Sequence, residues 1–128
     1  MKRDIKFKAL KDDMSDCRFV YGQLTYGIDP ITVTFYPRIH EVIGQPFSTS
    51  CLPNTEGQFT GLCDKNGVEI YEGDIVSHLH SADTCVVVFQ KESSMFLAQE
   101  IQDEELAFGI EDVIEVIGNI YQNKELLK

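Results

Sequence analysis

A chain of 128 residues, 43% of them hydrophobic, is long enough for one domain, or one barrel with an appendage, and too short for a multidomain enzyme. Eleven basic residues against 21 acidic give a formal charge of −10, which opposes a polyanionic partner unless positive charge is gathered in one place. The longest apolar run, Cys85 to Phe89, falls far short of the roughly 20 residues of a membrane-spanning helix. No secretory apolar region follows Met1, so a cytoplasmic protein without membrane contact is expected.

Asp4 to Ala9 alternates polar and apolar residues, predicting a half-buried strand with Ile5, Phe7 and Ala9 on one face and Lys6 and Lys8 outside. An aspartate-rich turn over 11–16 leads to the aromatic-rich run Arg18 to Tyr26, a second strand expected to pair with the first as a hairpin. Ile31 to Tyr36 alternates again, placing Ile31, Val33 and Phe35 on one face of a third strand that Pro37 should end. From Pro37 to Gly57 the pattern weakens into a long connection with at most one short strand. The expected organisation is therefore a β-meander with its connecting segment over 1–56 and a second unit over 57–128.

The second unit opens with Gln58 to Leu62, then the turn signal Asn66-Gly67, whose residues both tolerate the positive φ of a type I′ turn. Gly73-Asp74 reads as a turn or bulge feeding Ile75 and Val76, with the glycine in the strained conformation. Thr84 to Gln90 and Met95 to Glu100 form a further hairpin across 91–94. Residues 110–121 fit helical and strand templates equally. Gly118 and the β-branched residues resolve them as one helical turn over 111–113 and a strand over 114–121. Asn123 to Leu127 is expected as a closing turn. The fold class predicted is mainly β, an N-terminal β-meander followed by a small SH3-like β-barrel.

Chemistry is sparse. Cys17, Cys51, Cys63 and Cys85 contain no C-x-x-C pair, and in a reducing cytoplasm they are expected as free, mostly buried thiols. His78 and His80 share a strand face with Asp83 and Cys85 nearby, but a structural zinc site needs four ligands in paired spacings, so a polar loop and no metal or other cofactor are expected. Glu69, Glu72 and Asp74 are close enough to suggest acid–base work. The alternative for Asp74 is a turn-fixing bond to backbone N–H groups. No serine or cysteine sits in a nucleophile elbow, and no glycine-rich phosphate loop is present, so an enzyme is not expected. Residues 1–18 carry a net +2, with Lys6 and Lys8 on the first strand, and Glu100 to Glu115 gathers seven acids without a lysine or arginine. These suggest, respectively, a weak nucleic-acid contact and an acidic mimic of DNA.

Three blocks carry a family resemblance. Residues 58–76, from Gln58-Phe59-Thr60-Gly61-Leu62 to Gly73-Asp74-Ile75-Val76, resemble the signature of the YopX-like phage and prophage proteins. Arg3 to Ala9 looks like that family's opening strand, and Val116 to Asn123 resembles its closing block. Cys63, Lys124 and the long segment 28–55 depart from the pattern. The resemblance implies a phage or prophage origin in a bacterial host and a largely β architecture, and it transfers no active-site residue.

Glycines and Asn66 in the signature serve turns, while Leu62, Ile70, Ile75 and Val76 can fill a core. The polar and amphipathic remainder, Gln58, Thr60, Lys65, Tyr71 and Asn119, together with Tyr121, forms the candidate binding set. The expected function is a non-catalytic protein-binding module for an unidentified host or phage protein, acting through a β edge or an aromatic patch around Tyr71 and Tyr121. Nucleic-acid binding through the basic first strand and DNA mimicry are the alternatives, and homo-oligomerisation through an unpaired strand is open.

Overall fold

The computed structural model describes residues 4–16, 18–42 and 45–127. The protein is mainly β, built from antiparallel sheets, and divides into two compact units, Met1–Gln58 and Phe59–Lys128. Cys17, Lys2 and Arg3 lie outside the described residues.

In the first unit β1 (Phe7–Leu10) pairs with β2 (Phe19–Asp29), and β2 with β3 (Thr34–His40), giving the expected meander. A two-residue β4 (Thr49–Ser50) adds to β3, and the start of β5 (Gly57–Cys63) adds to the other side of β1. Ala9, Val20, Ile39 and Cys51 form its core, with Phe7 and Leu24 packed against them. The connection after β4 is pinned rather than loose. Cys51 N–H donates to the Pro37 carbonyl, Leu52 N–H to that of Leu10, and the buried Thr55 hydroxyl accepts Leu10 N–H while donating to the Leu52 carbonyl.

Three expectations for this unit are corrected. Lys8 is only 5% exposed, because its stem lies within β1 and its ammonium sits 4.5 Å from the centre of the Phe19 ring. Ile31 and Val33 belong to the turn, not to a strand face, and Ile31 is 91% exposed. The third strand also runs through Pro37 instead of stopping there. The Pro37 carbonyl faces Cys51, so its missing N–H faces the same side, where β4 reaches only Arg38 and Ile39. The proline therefore costs no bond to β2.

In the second unit, β5 continues and pairs with β6 (Glu69–Tyr71). β7 (Asp74–His78), β8 (Thr84–Gln90), β9 (Met95–Glu100), β10 (Ala107–Gly109) and β11 (Val113–Asn119) form a five-stranded sheet in the order β10-β9-β8-β7-β11. β10 and β11 are its edges, and among the described residues the pairing closes no barrel, which corrects the expected barrel to an open sheet. A 3₁₀ turn at Ile110–Asp112 precedes β11, as the resolved ambiguity predicts, and a second at Lys124–Leu127 buries no residue. Ile70, Val76, Cys85, Val87, Ala98, Ile110 and Val113 make the core. Leu62, expected inside, is instead exposed.

The hairpin at Asn66-Gly67 reverses the chain by a different turn from the one expected. Gly67 has φ +78 while Asn66 does not enter the left-handed region, and Gly67 N–H closes on the Asp64 carbonyl at 3.0 Å. The Asp64 side chain selects this form, because one carboxylate oxygen accepts both Asn66 N–H at 2.8 Å and Val68 N–H at 3.0 Å.

The described thiols are free and differ in access: Cys51 and Cys85 are buried, Cys63 is exposed. Burial pushes the Cys51 thiol up to about 11 and raises that of Cys85 as well. Native-state alkylation at pH 8 followed by peptide mapping should modify Cys63 at least tenfold faster than Cys51 or Cys85, which should react only on unfolding. Comparable rates at Cys51 and Cys63 would contradict this packing.

Candidate interaction surface

The residues singled out from the sequence do not converge on one surface. Tyr71 is only 2% exposed; its ring packs 5.4 Å from that of Phe59 and its hydroxyl donates to Glu69. Tyr71 thus belongs to the interior, and the patch expected around it is not on the surface. Asn119 is buried too, its side-chain oxygen accepting Tyr121 and Gln122 N–H groups at 3.0 and 2.9 Å, a local turn-forming role. Thr60 donates to the Ile70 carbonyl, and Lys65 reaches Glu115 at 3.6 Å. Gln58 is a half-buried strand residue opposite Phe7, and Tyr121 is half-buried.

The other candidate groups have local work. Asp74 accepts Tyr71 N–H at 2.8 Å and so fixes the turn at Glu72-Gly73, where Gly73 takes φ +92. His78 is buried and stacks on Phe108. Its Nδ1 accepts His80 N–H at 3.1 Å, which leaves the proton on Nε2 to donate to the Gly109 carbonyl at 2.7 Å. Both ring nitrogens are therefore occupied by backbone, and no group of three His, Cys, Asp or Glu side chains among the described residues is placed to hold a metal ion.

The surface that the sequence reading missed is the β2–β3 ribbon. β1 pairs with β2 only as far as Gly22, and β4 pairs with β3 only at Arg38 and Ile39. From Gln23 to Asp29 and from Thr34 to Tyr36 the two strands consequently have each other as ladder partners among the described residues, forming an arm with open edges. The register makes the arm two-faced. Leu24 opposite Ile39, Tyr26 opposite Pro37 and Ile28 opposite Phe35 share one face; Thr25 opposite Arg38, Gly27 opposite Tyr36 and Asp29 opposite Thr34 share the other.

The first face begins in the core at Ile39 and runs outward until Ile28 is 49% and Phe35 68% exposed. Ile31 and Val33, in the turn at the tip, are exposed as well. At its base the Tyr26 hydroxyl donates to Glu56 Oε2 at 2.8 Å, while Oε1 of that carboxylate is buried and has no partner among the described residues. Along the β3 edge lies an open groove of about 560 Å³, lined by Asp12, Asp29, Thr34, Phe35, Tyr36, Ser50, Cys51 and Pro53. One signal for this surface was legible: between Phe19 and Pro37 the sequence holds a single Asp, Glu, Lys, Arg or His, namely Asp29.

Comparison with known proteins agrees with the architecture. The crystal structure of protein EF1440 from Enterococcus faecalis is similar over 99% of this chain and 100% of its own, with 23% sequence identity and a TM-score of 0.56, a likeness of fold. No curated protein matches the chain. The family model described as YopX protein matches residues 6–128, nearly the full length and all three blocks singled out above except Arg3, Asp4 and Ile5; the chain belongs to the YopX protein family.

Proposed function

We propose that the protein is a non-catalytic protein-binding module, an accessory protein of a phage or prophage working in the cytoplasm of its bacterial host. The observation that carries this reading is the uncovered apolar face of the β2–β3 arm, since a contiguous apolar surface beside an open strand edge is the usual mark of a docking site. The local roles of Asp74 and His78 support a non-catalytic reading. Within it, the second unit is of the SH3-like class by its short strands and tight hairpins, as an open sheet. Among the described residues no helix is long and apolar enough to cross a membrane.

The two alternatives have less support. Of the basic N-terminal strand, Lys8 is buried, and the Lys11 and Arg18 beyond it are both paired with Asp16. Of the seven acids from Glu100 to Glu115, four have protein partners: Glu100 with Ser81, Asp103 with Glu105 N–H, Asp112 with His80 and Glu115 with Lys65. Affinity enrichment from induced host cells, with wild type and an Ile28→Asp/Phe35→Asp variant as parallel baits, tests the reading. A specific protein retained by the wild type and lost by the variant is expected. Recovery of nucleic acid in its place, or the same proteins on both baits, would count against it.

A further inference from the structure

We infer that the occupant of the apolar arm face is a second copy of this chain, the two arms packing face to face about a two-fold axis with Ile28 and Phe35 at the centre. This rests on the protein-binding reading above and names its partner. Three observations point to a like partner.

The first is charge. Two protomers of net charge −10 repel, so a homotypic contact has to be made where acid is scarce. The arm is that place. Asp29 is its one formal charge, and its carboxylate is turned into the hairpin loop, accepting Ile31 N–H at 2.9 Å and Thr32 N–H at 3.4 Å. At physiological salt the repulsion between the remaining charges is screened beyond about 8 Å, so the contact itself decides the outcome.

The second is area and symmetry. Tyr26, Ile28 and Phe35 on this face, and Ile31 and Val33 in the turn at its tip, are each half to nine-tenths exposed. With fully buried aromatic side chains contributing about 150–250 Å² each and aliphatic ones somewhat less, they offer on the order of 500–600 Å² per copy. Two such faces in contact cover roughly 1,000–1,200 Å², the lower bound of a specific interface. An isologous dimer brings this patch against itself, as closed two-fold assembly requires. It also backs a two-stranded ribbon, which is marginally stable on its own in water.

The third is Val33. It holds φ 55 at the tip of the arm, a conformation that disfavours a β-branched residue and that glycine would adopt freely. A residue that strains its own turn while presenting its side chain to solvent has its use outside the protomer.

Sedimentation equilibrium between about 1 and 100 μM tests the inference. The wild type should be a dimer over most of that range and associate more tightly as salt is raised, because screening removes repulsion from an apolar contact. Ile28→Asp/Phe35→Asp should be monomeric with an unchanged far-UV circular dichroism spectrum. Val33→Gly should leave the monomer at least as heat-stable yet raise the dimer dissociation constant about tenfold or more, which a purely structural role for Val33 would not do. A wild type that stays monomeric at 100 μM, or an Ile28→Asp/Phe35→Asp variant that still dimerises, overturns it. If the wild type is monomeric but captures a foreign protein through Ile28 and Phe35, the second copy is excluded while the protein-binding reading stands. Failure of both experiments removes both.

Discussion

Replacing Asp64 with alanine should destabilise the second unit by on the order of 3 kcal/mol. Asp64 is a short, buried carboxylate at the β5–β6 turn, and both of its oxygens accept from backbone donors. One oxygen holds Asn66 and Val68 N–H within the turn, and the other accepts Val116 N–H at 2.9 Å from β11, 52 positions further along the chain. A bond from Lys65 N–H to the Ile114 carbonyl at 3.1 Å runs alongside it. The carboxylate thus makes the hairpin turn and fastens it to an edge strand. Truncation would strand three backbone donors, each costing about 1–3 kcal/mol if left dry, with partial relief from water entering the gap. Calorimetry on a unit of this size should register roughly 10–20 °C. Amide exchange should quicken first at Asn66, Val68 and Val116, and a melting point within 2 °C of wild type would refute the assignment.

The same carboxylate predicts an acid limb of stability. Burial pushes its pKa up, but the bonds from Val116, Val68 and Asn66, with Lys65 adjacent, outweigh it and hold Asp64 below the usual carboxylate value. A group whose folded pKa is depressed contributes stability above its unfolded pKa, near 3.9, and loses it as pH falls through the lower folded value. The gap in stability between wild type and Asp64→Ala should therefore be full at pH 7 and shrink below about pH 4. A gap that is constant down to pH 2 would mean that shape, not charge, is what Asp64 supplies.

Sequence periodicity carried the local half of this fold. The β8–β9 hairpin falls where alternation and its polar loop place it, and Gly118 with its β-branched neighbours rightly marks β11 as a strand. Alternation assigns side chains to faces; it does not say whether anything covers a face. That is why Phe35 reads as one face of an ordinary third strand and Ile28 as part of the connection before it, although together they form a face that runs out past the end of its cover. Charge likewise reads as solvent, which hid Lys8 beneath Phe19. The Asp64 bond to Val116 depends on a pairing of remote strands that no local window contains. Of the candidate set, Tyr71 and Asn119 are buried and bonded within their own unit, which no local pattern of polar residues discloses.

Gly22 tests how the first unit is assembled. It stands in β2 at the point where pairing with β1 ends, opposite Phe7, and pairing with β3 begins, Gln23 being opposite His40. Two neighbours claim the same strand there, and they approach so closely that only a hydrogen fits on the Cα. A methyl group would meet the His40 carbonyl oxygen, with the carbonyl carbon of His40 at 2.8 Å and the Cα of Glu41 at 3.0 Å. All three are backbone atoms, so no rotamer change can make way, and φ of +156 further disfavours any side chain. Gly22→Ala must then either displace the end of β3 or break the β1–β2 register, at a cost of about 2–4 kcal/mol. Because Ile39, next to His40, is fully buried in the core with Ala9 and Val20, a shift of β3 would also open that core. The expected signature is faster amide exchange over Phe7–Leu10 and at Ile39, with the Ile70, Val76 and Val87 amides of the second unit changing far less. Unchanged exchange at Ile39 would show that β2 and β3 have more room at this crossing than their backbone geometry allows.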